Sequence, residues 1–162
     1  MTTGLAIVIT VSDRASRGER EDASGPVAIA ALREAGWNAA GALVADGAFS
    51  VGAGIEAALS MGARLVVTTG GTGIGPRDET PEATTRILAK ELPGIAEELR
   101  RRGALTKPTA LLSRGVAGIA VGAAGGALIV NLPGSPTAVA DGIGLVIEVA
   151  PHVLSQLDGG DH

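Results

Sequence analysis

Short apolar runs alternate with amphipathic segments along the first half of the chain. Leu5–Val11 is a continuous aliphatic run rich in β-branched residues, which is typical of a strand buried on both faces of a parallel sheet. Further strands are predicted over 39–44 and 65–69, with helices over 26–35 and 50–61 between them. This alternation predicts an α/β fold, a three-layer doubly wound and mostly parallel sheet with right-handed crossovers.

The second half of the chain is less regular. Helices are predicted over 80–90 and 95–102, and a short one over 109–114. Two late apolar runs, 119–121 and 127–130, flank a Gly-Gly pair and predict a late antiparallel strand or hairpin. Apolar residues at helical spacing then predict a final helix with one clear face: Val139, Ile143, Val146, Ile147 and Ala150.

The length of 162 residues suits a single domain, predicted over residues 1–157, with 158–162 as a flexible tail. Hydrophobic residues make up 46% and charged residues 19%, which excludes a disordered chain. No basic segment precedes the first apolar run, so no export signal is predicted. The longest uncharged stretch, 115–140, is interrupted by Gly, Asn and Pro, which argues against a membrane span. We therefore expect a cytoplasmic protein.

The net charge and the scarcity of aromatic, cysteine and histidine residues exclude several classes of function. A net charge of −4 and only two aromatic residues, Trp37 and Phe49, argue against nucleic-acid binding. The chain has no cysteine, which excludes thiolate metal sites. Its two histidines lie at positions 152 and 162, which argues against a His-centred metal site or a Ser-His-Asp triad. Any reaction must depend on carboxylates, hydroxyls, arginines and backbone amides, with a hard cation such as Mg²⁺.

Polar residues follow each predicted strand. In open α/β sheets, ligands bind outside the carboxyl ends of the strands, so these residues should share one rim of the sheet. The candidate residues on this rim are Ser12, Asp13, Arg14, Asp46, Arg77, Asp78 and the segment 131–135.

The glycine-rich loop is the strongest single motif. Gly70, Gly71, Thr72 and Gly73 follow the third strand, and glycines let backbone amides approach phosphate oxygens closely. The loop is neither a Walker A sequence nor a G-x-G-x-x-G fingerprint, since Pro76 stands where the third glycine would be. It is therefore either a phosphate cradle or only a tight turn. If it is a cradle, Val at Gly71 or Gly73 should block nucleotide binding.

Two aspartates are candidate Mg²⁺ ligands. Asp46 and Asp78 could share a cation together with substrate phosphates and water. Asp46 could equally be a turn residue before a glycine. Asp78 could be a solvated loop acid or the partner of Arg77, and Asp13 could belong to a local turn.

Three remaining features each have an ordinary structural explanation besides a functional one. Ser113 and Arg114 could simply end a short helix. The basic cluster 100–102 with Lys107 is usually a solvated face. His152 is expected to be structural.

Three linked motifs carry a family resemblance. The segments 68–84 (TTGGTGIGPRDETPEAT), 12–18 (SDRASRG) and 131–136 (NLPGSP) resemble, in order and spacing, the MogA/MoaB family of molybdenum-cofactor biosynthesis proteins. The match covers essentially the whole chain. The family is similar to the G domain of gephyrin.

The resemblance implies a reaction in which molybdopterin is adenylylated by Mg-ATP and pyrophosphate is released. It implies Asp46 and Asp78 as the catalytic and metal-binding aspartates. It implies nucleotide-phosphate contacts from Ser12, Asp13, Gly70, Gly71, Thr72, Gly73 and Arg77. Pterin contacts are implied for Ser113, Arg114, Pro133, Gly134 and Ser135. It also implies a homotrimer and a separate MoeA-like protein for metal insertion.

Two departures from the family pattern matter. Between Gly73 and Asp78 the chain reads Ile-Gly-Pro-Arg, whereas the MogA branch usually carries a second arginine before the aspartate. Glu79 is an acid where an apolar residue is common. The alternative to an enzyme is a non-catalytic molybdopterin-binding oligomer of the same pathway, and a third reading is a scaffold module. Retention of both aspartates favours the enzyme.

The distribution of charge predicts self-assembly. No Lys or Arg occurs after Arg114, and residues 115–162 are rich in Gly and Ala. Such a segment either lies deep in the fold or packs against a copy of the chain. Together with the family resemblance, this predicts a trimer.

Overall fold

The computed structural model describes residues 3–160 and contains one six-stranded sheet with the strand order β2-β1-β3-β6-β5-β4. The strands are β1 Leu5–Val11, β2 Asn38–Val44, β3 Leu65–Thr69, β4 Lys90–Glu91, β5 Ala117–Gly122 and β6 Gly125–Leu132. The helices are α1 Asp13–Ser16, α2 Gly25–Glu34, α3 Ala48–Ser60, α4 Thr80–Ile87, α5 Pro93–Thr106, a 3₁₀ helix Pro108–Leu112, and α6 Pro136–Leu157.

The sheet is mostly parallel. Strand β1 pairs in parallel with β2 and β3, and β3 pairs in parallel with β6. Strand β5 runs antiparallel to both β6 and β4, and β5 and β6 form the predicted late hairpin. The α/β doubly wound fold class is confirmed.

Alternate side chains of the strands enter two separate cores, as expected for a sheet covered on both faces. Ala6 and Val8 of β1 pack on the side of α2, α5 and α6, whereas Ile7 and Ile9 pack on the side of α3 and α4. Both cores are almost wholly aliphatic, with Trp37 as the one aromatic member. Because small aliphatic side chains bring the layers close together, the fold needs few aromatic residues.

The predicted helix over 80–90 is too long. Helix α4 ends at Ile87, and Lys90–Glu91 pairs with β5 as a short edge strand. The neighbouring amide of Ala89 donates to Ile119 O at 2.7 Å, and that of Leu92 donates to Ala117 O at 2.8 Å. Edge pairing therefore replaces the last helical turn. Helix α5 also begins earlier than predicted, because Pro93 is tolerated in a first turn, where no N–H is required.

The final helix ends at Leu157, and Asp158 is its C-cap. The amide of Asp158 donates to Leu154 O at 3.0 Å, and its carboxylate pairs with Arg64 at 2.8 Å. The predicted flexible tail also includes residues 161 and 162, which lie outside the described residues, and it stays a prediction.

Among the described residues, α6 is the one helix that is long and apolar enough to cross a membrane by length and composition. Its face formed by Val139, Ile143, Val146 and Ala150 is buried in the core on the α2 side of the sheet. A helix that packs in the core of a folded domain passes the same test of length and composition.

Two adjacent threonines of β3 test how buried hydroxyls affect stability. Both are fully buried, but the Thr68 hydroxyl accepts a 2.9 Å hydrogen bond from Asn131 Nδ2, whereas Thr69 Oγ1 has no partner among the described residues. An unsatisfied buried hydroxyl costs about 1–3 kcal/mol. Thr69→Val should therefore raise the free energy of unfolding by about 1 kcal/mol, and Thr68→Val should lower it by a similar or larger amount. Urea denaturation of the two variants measures this difference, and equal effects would contradict it.

Candidate active site

A cavity of about 430 Å³ lies at the carboxyl ends of β1 and β3. The chain leaves β1 toward α2 and leaves β3 toward α4, and these two helices lie on opposite faces of the sheet. This arrangement is a topological switch point, where α/β sheets bind ligands. The cavity is lined mainly by polar residues and glycines, including Thr10, Ser12, Asp22, Ser24, Asp46, Thr69, Gly70, Gly71, Asp78, Gly134 and Ser135.

The glycine loop packs too tightly for side chains at two positions. Gly70 and Gly71 have φ angles of 96° and 66°, which only glycine adopts readily. A Cβ on Gly70 would collide with Val11 O, and one on Gly71 would collide with Thr80 Oγ1. Both glycines are therefore required by the fold itself.

The carbonyls of the loop are held by neighbouring elements. The Thr80 hydroxyl donates to Gly70 O at 3.0 Å, and its amide donates to Gly71 O at 3.1 Å. Arg114 donates to the next two carbonyls, from its amide to Thr72 O and from Nε to Gly73 O, both at 2.8 Å. The loop is thus fixed from its carbonyl side.

The amides of the loop have no such partners. Within residues 3–160, the N–H groups of Gly71, Thr72 and Gly73 donate to no protein acceptor, and neither do those of Gly134 and Ser135. Backbone N–H groups that are fixed in place without acceptors can bind an anion. The two turns beside the cavity therefore supply the donors that a phosphate group needs.

Asp46 and Asp78 line the same cavity. Asp46 Oδ2 accepts the Asp13 amide at 2.9 Å, and Asp78 Oδ2 accepts the Gly75 amide at 2.9 Å. In the described part of the chain, the Oδ1 atom of each carboxylate accepts no hydrogen bond. The hydrogen bond to Oδ2 therefore orients each carboxylate, and Oδ1 is left for a ligand.

Asp13 and Arg77, which sequence reasoning assigned to phosphate binding, form an ion pair outside the cavity lining. Arg77 Nε donates to Asp13 Oδ2 at 2.8 Å, and Nη2 donates to Asp13 Oδ1 at 2.9 Å and to Asp46 O at 3.0 Å. The hydrogen bonds from Arg77 lower the pKa of Asp13. Since the lowered pKa keeps Asp13 ionised, the pair is complete at neutral pH and is lost only as the pH falls below the usual carboxyl range. Arg77 does not bond to the Asp78 side chain.

Glu79 also contributes to the rim. Its Oε2 accepts the Ala48 amide at 2.7 Å and so caps the first turn of α3, whose own N-cap, Gly47, has no side chain. Because Glu79 does not line the cavity and binds the first residue of α3, its observed role is to hold the start of that helix.

Ser113 and Arg114 have different surroundings. Arg114 bonds to Gly73 O, Asp78 O and the Glu82 carboxylate, and lines neither cavity. Its hydrogen bond to Glu82 lowers the pKa of that carboxyl. Ser113 instead lines a second cavity.

The second cavity, of about 440 Å³, lies between α5, the 3₁₀ helix and α6. Ser113 and Pro133 line it, Gly134 lines the first cavity, and Ser135 lines both. The two cavities are thus neighbours across the turn between β6 and α6. Three cations of the predicted solvated cluster also line the second cavity: Arg100, Arg102 and Lys107.

Sequence reasoning missed the contribution of Asp22. The Asp22 carboxylate accepts hydrogen bonds from the Thr10 hydroxyl at 2.8 Å and from the Gly25 amide at 2.9 Å. The Ser24 hydroxyl in turn donates to the Gly134 carbonyl. The available signal was only that Asp side chains commonly accept the backbone N–H two residues later in a turn, as Asp22 Oδ1 does from Ser24 at 3.2 Å.

The two cavity aspartates could bind a magnesium ion if a substrate supplied further oxygen ligands. In residues 3–160, no three His, Cys, Asp or Glu side chains form a ready-made metal site. Mg²⁺ is commonly held by one or two carboxylates plus substrate phosphates and water. Asp46 and Asp78, each with one unbonded oxygen beside unpaired backbone donors, meet that requirement.

Comparison with known proteins agrees with this geometry. Residues 7–152 match the family described as "Probable molybdopterin binding domain". The chain is 40% identical to a molybdenum cofactor biosynthesis bifunctional protein of Synechococcus elongatus over 98% of its own length, and spans 49% of that relative. It is 38% identical to a molybdopterin adenylyltransferase of Pyrococcus furiosus, covering 91% of this chain and 87% of the relative.

A solved structure is similarly close. The tungsten cofactor synthesizing protein MoaB from Pyrococcus furiosus superimposes with a TM-score of 0.87 at 35% identity, covering 96% of this chain and 97% of that one. The chain therefore belongs to the MogA/MoaB family of molybdenum-cofactor biosynthesis proteins, and the resemblance noted in its sequence is confirmed.

Proposed function

We propose that this chain is a molybdopterin adenylyltransferase that uses Mg-ATP. The observation that carries the proposal is the first cavity, which is lined by two aspartates that each keep an unbonded oxygen and by three residues whose backbone N–H groups are unpaired in the described part of the chain: Gly71, Gly134 and Ser135. Relatives named molybdopterin adenylyltransferase share 38% identity over most of the chain. Family membership and site chemistry thus point to the same activity.

In this proposal, the terminal phosphate of molybdopterin attacks the α-phosphorus of ATP. A new phosphorus–oxygen bond forms, the bond between the α-phosphorus and its bridging oxygen breaks, and pyrophosphate leaves with the bond electrons. Such transfers depend on positioning and charge neutralisation more than on a reactive side chain. That requirement suits a chain without cysteine.

The glycine loop would bind the nucleotide phosphates through the amides of Gly71, Thr72 and Gly73. Asp46 and Asp78 would hold Mg²⁺, which neutralises charge on the departing pyrophosphate. Ser12, whose hydroxyl accepts the Ala15 amide at 3.1 Å, lines the same cavity and fixes the start of α1 near the phosphates.

The second cavity is the proposed pterin site. Its lining includes the apolar residues Leu99, Leu132 and Pro133 and the cations Arg100 and Lys107. A planar, polar heterocycle carrying a phosphate suits this mixture of apolar surface and positive charge. Ser135 lines both cavities, so the pterin phosphate would reach the nucleotide across the turn between β6 and α6.

Incubation with molybdopterin and Mg-ATP tests the proposal. We expect molybdopterin adenylate and pyrophosphate in equal amounts. The alternative, a non-catalytic molybdopterin-binding oligomer, would retain the pterin without consuming ATP. Recovery of bound molybdopterin and unchanged ATP would therefore favour that alternative.

We also propose a cytoplasmic homotrimer that passes its product to a MoeA-like metal-insertion protein. The family membership and the lack of Lys and Arg after Arg114 support the trimer. The large apolar side chains exposed on the single chain are candidates for the contact between copies: Leu43, Phe49, Met61, Ile74, Leu105, Leu111, Leu112 and Val121. Light scattering at micromolar concentration should give about three times the chain mass of 15.9 kDa. A mass equal to one chain would refute the trimer and leave the adenylylation proposal untouched.

A further inference from the structure

The loops after β1, β2 and β3 are joined by one compact network. Arg77, from the loop after β3, places two nitrogens on the Asp13 carboxylate after β1 and a third hydrogen bond on the Asp46 carbonyl after β2. Asp13 lies 64 residues from Arg77 along the sequence. One guanidinium therefore fixes the relative positions of three separate loops.

Asp46 is held by this network at three atoms. Its amide donates to Asp13 Oδ1 at 3.1 Å, its Oδ2 accepts the Asp13 amide at 2.9 Å, and its carbonyl accepts Arg77 Nη2 at 3.0 Å. Asp13 Oδ1 is shared between the Asp46 amide and Arg77 Nη2. Removal of either side chain would break one direct contact of Asp46 and would also deprive the other side chain of its partner.

Only one member of the network faces the ligand. Asp46 lines the first cavity, whereas Asp13 and Arg77 do not. Arg77 Nε and Nη2 are used by protein acceptors, so a phosphate could bind at that edge of the guanidinium only after the ion pair breaks. Within residues 3–160, Nη1 donates to no acceptor, but it belongs to a side chain outside the cavity lining. The guanidinium also offsets repulsion on a rim that carries Asp13, Asp46 and Glu79.

We propose that Asp13 and Arg77 are positioning residues that orient the Asp46 carboxylate toward a divalent cation, and do not themselves bind the nucleotide phosphates. This inference rests on the proposed function, because the cation is the Mg²⁺ assigned there to Asp46 and Asp78. Partners that orient a metal-binding carboxylate typically alter metal affinity about 10–100-fold when removed.

The test separates metal affinity from phosphate affinity. Calorimetry measures ATP binding in EDTA, and again over a series of Mg²⁺ concentrations. For Arg77→Gln we expect ATP affinity in EDTA within about threefold of the parent, since an exposed charge is largely screened. The Mg²⁺ concentration that gives the half-maximal effect should rise at least about tenfold.

Three further variants and one control make the result more specific. Asp13→Asn should give the same shift, and the Asp13→Asn/Arg77→Gln double variant should add little, because both changes disrupt one unit. Arg77→Lys, which keeps the charge but not the fork, should recover only part of the loss. Arg101→Gln is the matched control, since Arg101 is also 62% exposed and paired with an acid, and should change nothing.

The outcomes are distinct for the two proposals. A loss of ATP affinity in EDTA of about tenfold or more for Arg77→Gln would make Arg77 a phosphate ligand and overturn the inference. An unchanged Mg²⁺ dependence in both single variants would also overturn it while leaving the proposed function intact. ATP binding by the parent that does not respond to Mg²⁺ would overturn the metal site and this inference together.

Discussion

Asp46→Asn and Asp78→Asn should each lower the adenylylation rate at least about 100-fold while the chain stays folded. Each asparagine retains a carbonyl oxygen that can accept the backbone amide now bound by the carboxylate, from Asp13 or Gly75 respectively. The loops should therefore keep their shape and lose only the negative charge that Mg²⁺ requires. Product formation at saturating ATP, together with thermal unfolding, measures both parts of this prediction.

The matched control is Asp158→Asn, which removes the same charge from a surface pair with Arg64 that lines neither cavity. It should leave the rate unchanged. Full activity in both the Asp46 and Asp78 variants would eliminate these residues as the metal site.

Gly71→Ala should destabilise the chain strongly. The φ angle of 66° costs an alanine about 1–2 kcal/mol, and its Cβ would also displace the Thr80 hydroxyl from a buried hydrogen bond. With about 1–3 kcal/mol for that bond, the free energy of unfolding should fall by about 3 kcal/mol or more. Urea denaturation provides the measurement.

Gly18→Ala isolates the backbone contribution. Gly18 has a φ angle of 73°, but nothing lies within 4 Å of the Cβ that an alanine would add. We expect a loss of only about 1–2 kcal/mol there. If both variants lost the same free energy of unfolding, the contact with Thr80 would contribute nothing to stability.

These glycines also correct an expectation from the sequence. Valine at Gly71 was expected to obstruct a bound phosphate in a well-folded protein. The structure gives a different cause, because the new side chain would meet Thr80 and Val11 inside the protein. At Gly73 the added Cβ would lie 2.9 Å from Asp78 Oδ2, so that substitution would disturb a proposed metal ligand.

Much of the candidate site was predictable because it depends on strand ends. The apolar runs located β1 and β3, and the rule that ligands bind at carboxyl ends then gathered Ser12, Asp46, Gly70 and Asp78 around one cavity. This reasoning needs only local patterns along the chain.

Pairings between distant loops were not predictable in the same way. Arg77 was considered as a partner of the adjacent Asp78, yet it pairs with Asp13. Arg77 can reach Asp13 because β1 and β3 are neighbours in the sheet. The order of the strands in the sheet cannot be deduced from the local sequence pattern of either strand. The same holds for Lys90–Glu91, whose helical pattern is overridden by pairing with β5.

The central claim is the transfer of an adenylyl group, and labelled ATP tests it most directly. The protein is incubated with molybdopterin, Mg²⁺ and ATP labelled at either the α- or the γ-phosphate. We predict that the α-label appears on the pterin and the γ-label in pyrophosphate, with neither transfer in the Asp46→Asn variant. Appearance of the γ-label on the pterin, or the absence of any labelled pterin, would contradict this account.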